Sequence, residues 1–478
     1  MKQTKILATL GPSSYEKKIF VELVKAGLNC ARLNFSHGDY DFHKRNIEMI
    51  REVNEEMGVN IGILLDTKGP EIRMHNFKNG EEYLDIGDVV TICMDEVEGT
   101  KERFSITYSN LVNDIEIGSR ILIDDGLIAL KVIKIKQGEI VCKVLNAGII
   151  KNKKGINVPD CNLSMDFISK KDYEDIKFAA EMDVDFIAAS FTRRREDILE
   201  IKSLLKEFGN ENILIIPKIE NQEGLDNLTQ IIKVSDGIMV ARGDLGVEIP
   251  LERVPMAQKK IIRECNKFGK ISITATHLLD SMQKNPRPTR AESTDVANAI
   301  LDGSDAIMLS GETAAGLYPI DSVKVMATIA EYSEADNFNH NRILNNQWDA
   351  VEDNVTGAIA ISVANSALKL ECKAVCAFTA SGYTARNISR FRLPMPIIAS
   401  TPFKKTCTQL SLSWGVHPVL SKFSQGTDEI VKISKQLIKS SINILIGDTY
   451  IITAGIPIAK TKHTNFMKIE QYKGEEDE

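Results

Sequence analysis

Lys218 and Glu220 stand two residues apart where an apolar, β-branched run, Ile213-Leu214-Ile215-Ile216, gives out. Side chains alternate faces along a strand, so an ammonium and a carboxylate at i and i+2 project together. The next such run, Gly237-Ile238-Met239-Val240, leads into Ala241-Arg242-Gly243-Asp244-Leu245-Gly246 and brings a second carboxylate, Asp244. Two carboxylates from separate strand ends suit a hard divalent cation, Mg²⁺ or Mn²⁺, which keeps places for water and substrate oxygens. A lysine beside such an ion stabilises negative charge that develops during reaction. A surface salt bridge is the plain alternative for Lys-x-Glu alone. The glycine-flanked aspartate one repeat later favours catalysis.

Residues of this kind need rigid elements behind them. The 478-residue length predicts about two to four domains. About eight short apolar runs end near Thr9, Phe35, Leu65, Ser190, Ile216, Val240, Ile273 and Leu309. Between them lie stretches of helical period at 14–26, 41–57, 171–181, 195–208, 255–268 and 290–301. Repeated strand–helix alternation implies a parallel sheet with right-handed crossovers. Eight units fit a (β/α)₈ barrel, whose chemistry lies at the C-terminal strand ends. Polar and glycine residues cluster there, as in Asn34-Phe35-Ser36-His37-Gly38, Asp66-Thr67-Lys68-Gly69-Pro70 and Ser310-Gly311-Glu312-Thr313.

The alternation stops after the third run. Short β-like runs replace helical period from about 71 to 164, with Asp125-Gly126 as a hairpin turn signal. The expected plan is a barrel over 1–70 and 165–338, interrupted by an inserted all-β lid domain over 71–164. An Asn/Asp-rich stretch, 336–353, reads as a linker, and a C-terminal α/β regulatory domain is expected over 339–478. The acidic tail, Glu475-Glu476-Asp477-Glu478, reads as solvated.

Net charge of −7 argues against broad nucleic-acid or anionic-membrane binding. Eight scattered cysteines, with Cys372 and Cys376 the closest pair, read as core thiols in a reducing compartment. The N-terminus turns polar at Gly11-Pro12 before a signal region could form, and no apolar run approaches the ~18 residues of a membrane span. A cytoplasmic protein is expected.

Together these motifs resemble the pyruvate kinase family. The resemblance rests on Ala31-Arg32-Leu33-Asn34-Phe35-Ser36-His37-Gly38, Asp66-Thr67-Lys68-Gly69-Pro70-Glu71-Ile72-Arg73 and Ile216-Pro217-Lys218-Ile219-Glu220. It continues through the Asp244 motif, Pro288-Thr289-Arg290-Ala291-Glu292 and the stretch from Met308 to Ala314, all in the family's order. It implies phosphoryl transfer from phosphoenolpyruvate to ADP, giving pyruvate and ATP. Two positions depart from the pattern: His277 replaces a usual glutamine after Thr276, and Asp166 a usual proline near the end of the lid.

The resemblance assigns roles that the chemistry supports. Phosphoryl transfer relies on positioning and cations more than on covalent chemistry. Lys218 would bind the phosphoryl group and the enolate oxygen, with Mg²⁺ on Glu220 and Asp244. The backbone N–H groups of Gly243 and Asp244 would receive the substrate carboxylate, and Arg32 would grip phosphate. Thr276 could orient the water that protonates the enolate, or simply cap a helix; Ser310 and Glu312 could relay the proton. No phosphate loop of the Gly-x-x-x-x-Gly-Lys kind occurs. By resemblance Arg73 and Lys154 contact the nucleotide, with Asn34 and His37 alongside; His37 reads equally as a structural histidine. Asn34, Ser36, Asp66 and the Thr67 carbonyl match the family's K⁺ ligands. Glu71 sharpens that expectation, because potassium-independent members tend to carry lysine there.

In the C-terminal domain, Thr379, Ser381, Gly382 and Thr384 resemble a loop that holds a phosphate of sugar-phosphate activators, against a plain cap and turn. The family's later glycine-rich loop reads here as 455–465 with its inner glycines replaced, which favours a phosphorylated effector other than fructose 1,6-bisphosphate. A homotetramer is expected from family likeness. Two other readings stay open: a Mg²⁺-dependent barrel lyase or aldolase acting on pyruvate or phosphoenolpyruvate, and an inactive sugar-phosphate-binding regulator.

Overall fold

Eight parallel strands close into a barrel in the computed structural model, which describes residues 2–159, 161–335, 354–422, 426–456 and 463–474. In chain order the strands are Lys5–Thr9, Cys30–Asn34, Gly62–Asp66, Phe186–Ala189, Leu214–Ile219, Gly237–Ala241, Ile271–Ala275 and Ala306–Leu309. Each ends within three residues of the place read from the sequence. Most strand residues are fully buried because one face packs inside the barrel and the other against the helical ring.

The helices begin and stop where their chemistry dictates. Tyr40–Met57 starts at Asp39, whose side chain accepts from the Phe42 N–H, and stops at left-handed Gly58. Arg290–Leu301 opens on a reciprocal box between Thr289 and Glu292. Glu292 also takes the Ser281 N–H at 2.7 Å and its hydroxyl at 2.5 Å. The Pro-Thr-Arg-Ala-Glu motif is therefore a helix start that pins the loop after the seventh strand.

Between the third and fourth strands the chain leaves the barrel to build a seven-stranded sheet and a two-stranded ribbon. Their apolar residues, among them Leu84, Ile92, Ile121, Leu130 and Ile140, form a core of their own. The turn after Arg120–Ile123 places Asp124, Asp125 and Gly126 all at positive φ. Two aspartates tolerate that region better than bulkier residues would.

A third body carries a five-stranded sheet, four strands parallel and Phe466–Gln471 antiparallel at the edge. It sits on the N-terminal mouth of the barrel. Arg392, 2 % exposed, donates to Asn266 Oδ1 at 2.6 Å, to Asp305 Oδ2 at 2.7 Å and to the Gly303 carbonyl. Asp305 Oδ1 in turn accepts from the Trp414 N–H, and Lys5 Nζ donates to the Val416 carbonyl at 2.7 Å. The expected linker at 336–353, the inner part of the later effector loop at 457–462 and the acidic tail lie outside the described residues.

Candidate active site

The ends of the second to fifth strands bring Arg32, Asp66 and Lys218 together with Glu220. Lys218 Nζ lies 2.9 Å from Glu220 Oε1 and 3.4 Å from Asp66 Oδ1. Arg32 Nε donates to Asp66 Oδ2 at 2.6 Å, and its Nη1 to Thr9 Oγ1 at 2.9 Å. Asp66 and Glu220 are each about 1 % exposed on their side chains. Burial opposes the Lys218 charge, but Asp66, Glu220 and Asp244 outweigh it and raise its pKa. The group stays an ammonium at neutral pH. Burial would raise Asp66 as well, yet Lys218 and Arg32 hold its carboxyl below the usual range. Glu220 moves the other way: burial first, then the Asp244 charge, push it up against the pull of Lys218.

That imbalance tests the fit of a divalent cation. Glu220 Oε2 accepts from the Phe191 N–H at 2.5 Å while Asp244 lies in the first turn of helix Arg242–Glu248. Glu220, pushed up by burial and by the Asp244 charge, belongs to a pair of carboxylates whose excess negative charge a cation relieves. Among the described residues no group of three His, Cys, Asp or Glu gathers at metal-binding spacing. A pair completed by substrate oxygens and water is what Mg²⁺ accepts.

Ser190 was singled out by no motif, yet it is central. Its Oγ accepts from Lys218 Nζ at 2.9 Å and lies 2.7 Å from the Thr67 carbonyl and 3.2 Å from Asp66 Oδ1. A single serine at a strand end has no sequence pattern that could announce it. Arg242 was also missed. It donates to the Thr276 carbonyl at 2.6 Å and to Asp295 Oδ1 at 2.8 Å.

That clamp bears on Thr276, at φ +68°, and His277, at φ +53°. A β-branched residue in the left-handed region is strained and needs such enforcement. The Thr276 hydroxyl accepts from the Gly243 N–H at 2.8 Å and points its own proton at the Ala275 carbonyl. Glu312 is buried with both oxygens on backbone N–H groups, of Ser310 at 2.8 Å and Leu279 at 3.1 Å. It braces the loops after strands seven and eight.

The potassium and nucleotide candidates sit on neighbouring loops. Asn34 Oδ1 accepts from the Ser36 N–H at 3.1 Å; Asp66 and Thr67 are buried, while Ser36 and His37 are exposed. His43 stacks on Phe35 at 3.8 Å and its Nε2 lies 2.9 Å from the His37 carbonyl, fixing that loop. Glu71 is not bare: Arg73 Nε lies 2.5 Å and Lys68 Nζ 3.7 Å away. Lys154 is paired with Asp124 at 2.8 Å. In the third body, the Thr384 hydroxyl is buried against that of Thr464 at 2.8 Å. Ser381 is exposed, Gly382 stands at φ +79°, and Thr379 is buried in its strand-end turn.

Comparison with known proteins agrees over nearly the whole chain. Residues 1–323 match the family model for the pyruvate kinase barrel domain, and 357–470 that for the pyruvate kinase alpha/beta domain. A pyruvate kinase of Staphylococcus saprophyticus is 53 % identical over 471 residues, covering 98 % of this chain and 80 % of that protein. One from Staphylococcus aureus strain USA300 is 52 % identical over the same span. The crystal structure of a pyruvate kinase from Cryptosporidium parvum superposes with a TM-score of 0.94 at 39 % identity, covering 98 % of this chain and 96 % of that one.

Proposed function

The chain belongs to the pyruvate kinase family, and from that premise we propose how its own residues transfer the phosphoryl group of phosphoenolpyruvate to ADP. Members of the family generally use a divalent cation and K⁺. The reading of this site rests on one observation above all: a buried, protonated Lys218 within 2.9 Å of Glu220, among the acidic ends of parallel strands.

Glu220 and Asp244 would hold Mg²⁺ or Mn²⁺. A divalent cation bound there would supply neutralisation of the negative charge that the phosphoryl group carries. Lys218, held between Glu220, Asp66 and Ser190, would donate its N–H groups to the phosphoryl and enolate oxygens. Arg32, oriented by Asp66 and Thr9, grips the phosphate from the other side. The substrate carboxylate takes over the Gly243 N–H from Thr276 and adds that of Asp244. The freed Thr276 hydroxyl then orients the water that protonates the enolate carbon, in a loop held by Ser310 and Glu312.

Arg73 and Lys154 would exchange Glu71 and Asp124 for nucleotide phosphates, beside Asn34 and His37. Asn34, Ser36, Asp66 and the Thr67 carbonyl offer K⁺ hard oxygens with one formal charge, the chemistry that ion prefers. A homotetramer and a phosphorylated effector near Thr379, Ser381, Gly382 and Thr384 complete the reading. Sedimentation and a panel of phosphorylated sugars, read as the half-saturation for phosphoenolpyruvate, test those two. Pyruvate formation followed with and without ADP tests the whole. Equal rates in both would replace a kinase site by a hydrolytic or lyase one.

A further inference from the structure

Four consecutive residues after the fourth strand touch both the catalytic pair and both ends of the lid. At one end, Gly69, where the chain leaves for the lid, lies against Ser190 and Phe191. A Cβ on it would stand 2.8 Å from Ser190 Cβ and 3.0 Å from the Phe191 ring, and its φ is +74°. At the other, the Arg193 guanidinium donates to the carbonyls of Leu163 and Met165, each at 2.8 Å, where the lid returns to the barrel. In the middle, the Ser190 hydroxyl holds Lys218 and the Phe191 N–H holds Glu220.

The segment is stiff. Phe191 stands at φ +54°. The N–H groups of Arg193 and Arg194 both donate to Asp197 Oδ2, at 2.8 and 3.0 Å. Asn227 Nδ2 donates to the Arg193 carbonyl at 3.0 Å, and the Thr192 hydroxyl to that of Ala189. Beside it lies a cavity of about 520 Å³ lined by Pro70, Leu163, Met165, Phe191 and Arg193. A stiff link clamped to both segments where the chain leaves and re-enters the barrel cannot shift at its ends without shifting its middle.

We infer that residues 190–193 tie the position of the lid to the placement of Lys218, with Arg193 as the positioning residue at the lid end. The neutral Ser190 is well suited to the other end. Its uncharged oxygen tethers the Lys218 ammonium, while the Phe191 N–H next to it holds Glu220. Lid closure and the aiming of the ammonium are then one event, and misplacement by about 1 Å costs on the order of 10²-fold in rate. The inference rests on Lys218 as the group that stabilises the enolate.

Exchange of the pyruvate methyl protons with D₂O, in the presence of Mg²⁺ and K⁺ and without nucleotide, isolates that step. Arg193→Lys keeps the charge but loses the two-pronged grip; Arg193→Met removes both, and the lysine variant suffices if the methionine variant does not fold. Both are expected to slow exchange by roughly 10- to 100-fold. In a Ser190→Ala background, where the link to Lys218 is already cut, the Arg193→Lys loss should shrink to less than about threefold. Unchanged exchange together with a raised KM for ADP would mean that Arg193 only holds the lid over the nucleotide. An undiminished loss in the Ser190→Ala background would mean general damage. Either result overturns the inference. Full exchange activity in Lys218→Met would instead overturn the reading of the site itself.

Discussion

Lys218 concentrates what one side chain does here, because three acceptors compete for one ammonium. Lys218→Met keeps the stem and deletes the charge, so kcat should fall by at least ~10²–10³-fold. The KM for phosphoenolpyruvate should change little, since Arg32, Glu220 and Asp244 remain. Near-full turnover would remove Lys218 from the chemistry. Glu71 carries a second residue-scale prediction. Glu71→Lys should leave substantial turnover in a K⁺-free organic-cation buffer where wild type is nearly inactive. The same change also frees Arg73, whose partner Glu71 is at 2.5 Å, so the KM for ADP should shift with it. Equal activity of wild type with and without K⁺ would refute the cation assignment. Lys218, Glu220 and Asp244 were legible because strand alternation and glycine spacing mark them. Ser190, Arg193 and Arg242 were not, since their partners lie about 30 to 120 positions away and no local pattern marks such contacts.

Among the elements, the proposed lid has the clearest mechanics. Asn157 donates to Glu248 at 2.7 Å, a latch from lid to barrel helix. The lid's Asp125 opposes it: burial and the charge of Asp244 both raise its pKa, so it meets the barrel against repulsion. Asn157→Ala should loosen closure by about 1 kcal/mol, roughly fivefold, and Asp125→Asn should tighten it. Hydrogen exchange over 71–164 without divalent cation reads the two signs directly. Matching signs would show that neither contact governs closure. The β-like character of this stretch was visible in its lost helical period. Its contacts with the barrel were not, because they join residues about 90 to 120 positions apart.

Across the whole molecule, the junction between barrel and C-terminal body is built from charges buried together. His417, held there beside Lys5 and Lys2, has its pKa lowered to about 3 from an ordinary 6.5, by burial first and those cations next. The unfolded chain therefore binds this proton more tightly than the folded one, and stability falls as pH drops from about 6.5 towards 3. His417→Gln should flatten the melting temperature over that window while leaving it nearly unchanged at pH 8. A parallel fall in both proteins would assign acid sensitivity elsewhere. Arg392→Met should be costly at any neutral pH, about 3–5 kcal/mol, because Asp305 would stay buried without its partner. Eight strand–helix units were enough to announce a barrel. Which mouth the last domain would occupy depends on pairs such as Arg392 and Asp305, which no local pattern reveals.

That seating has a consequence for how the protein can be altered. The barrel strands are about five residues long, or about 17 Å from mouth to mouth. Substitutions so far apart, sharing no partner, combine independently in free energy. Substitutions on the outer sheet, away from the Arg392–Asp305 pair, can therefore accumulate while the geometry at the opposite mouth is inherited intact. The barrel acts as a spacer that lets two selective pressures work on one chain without negotiating.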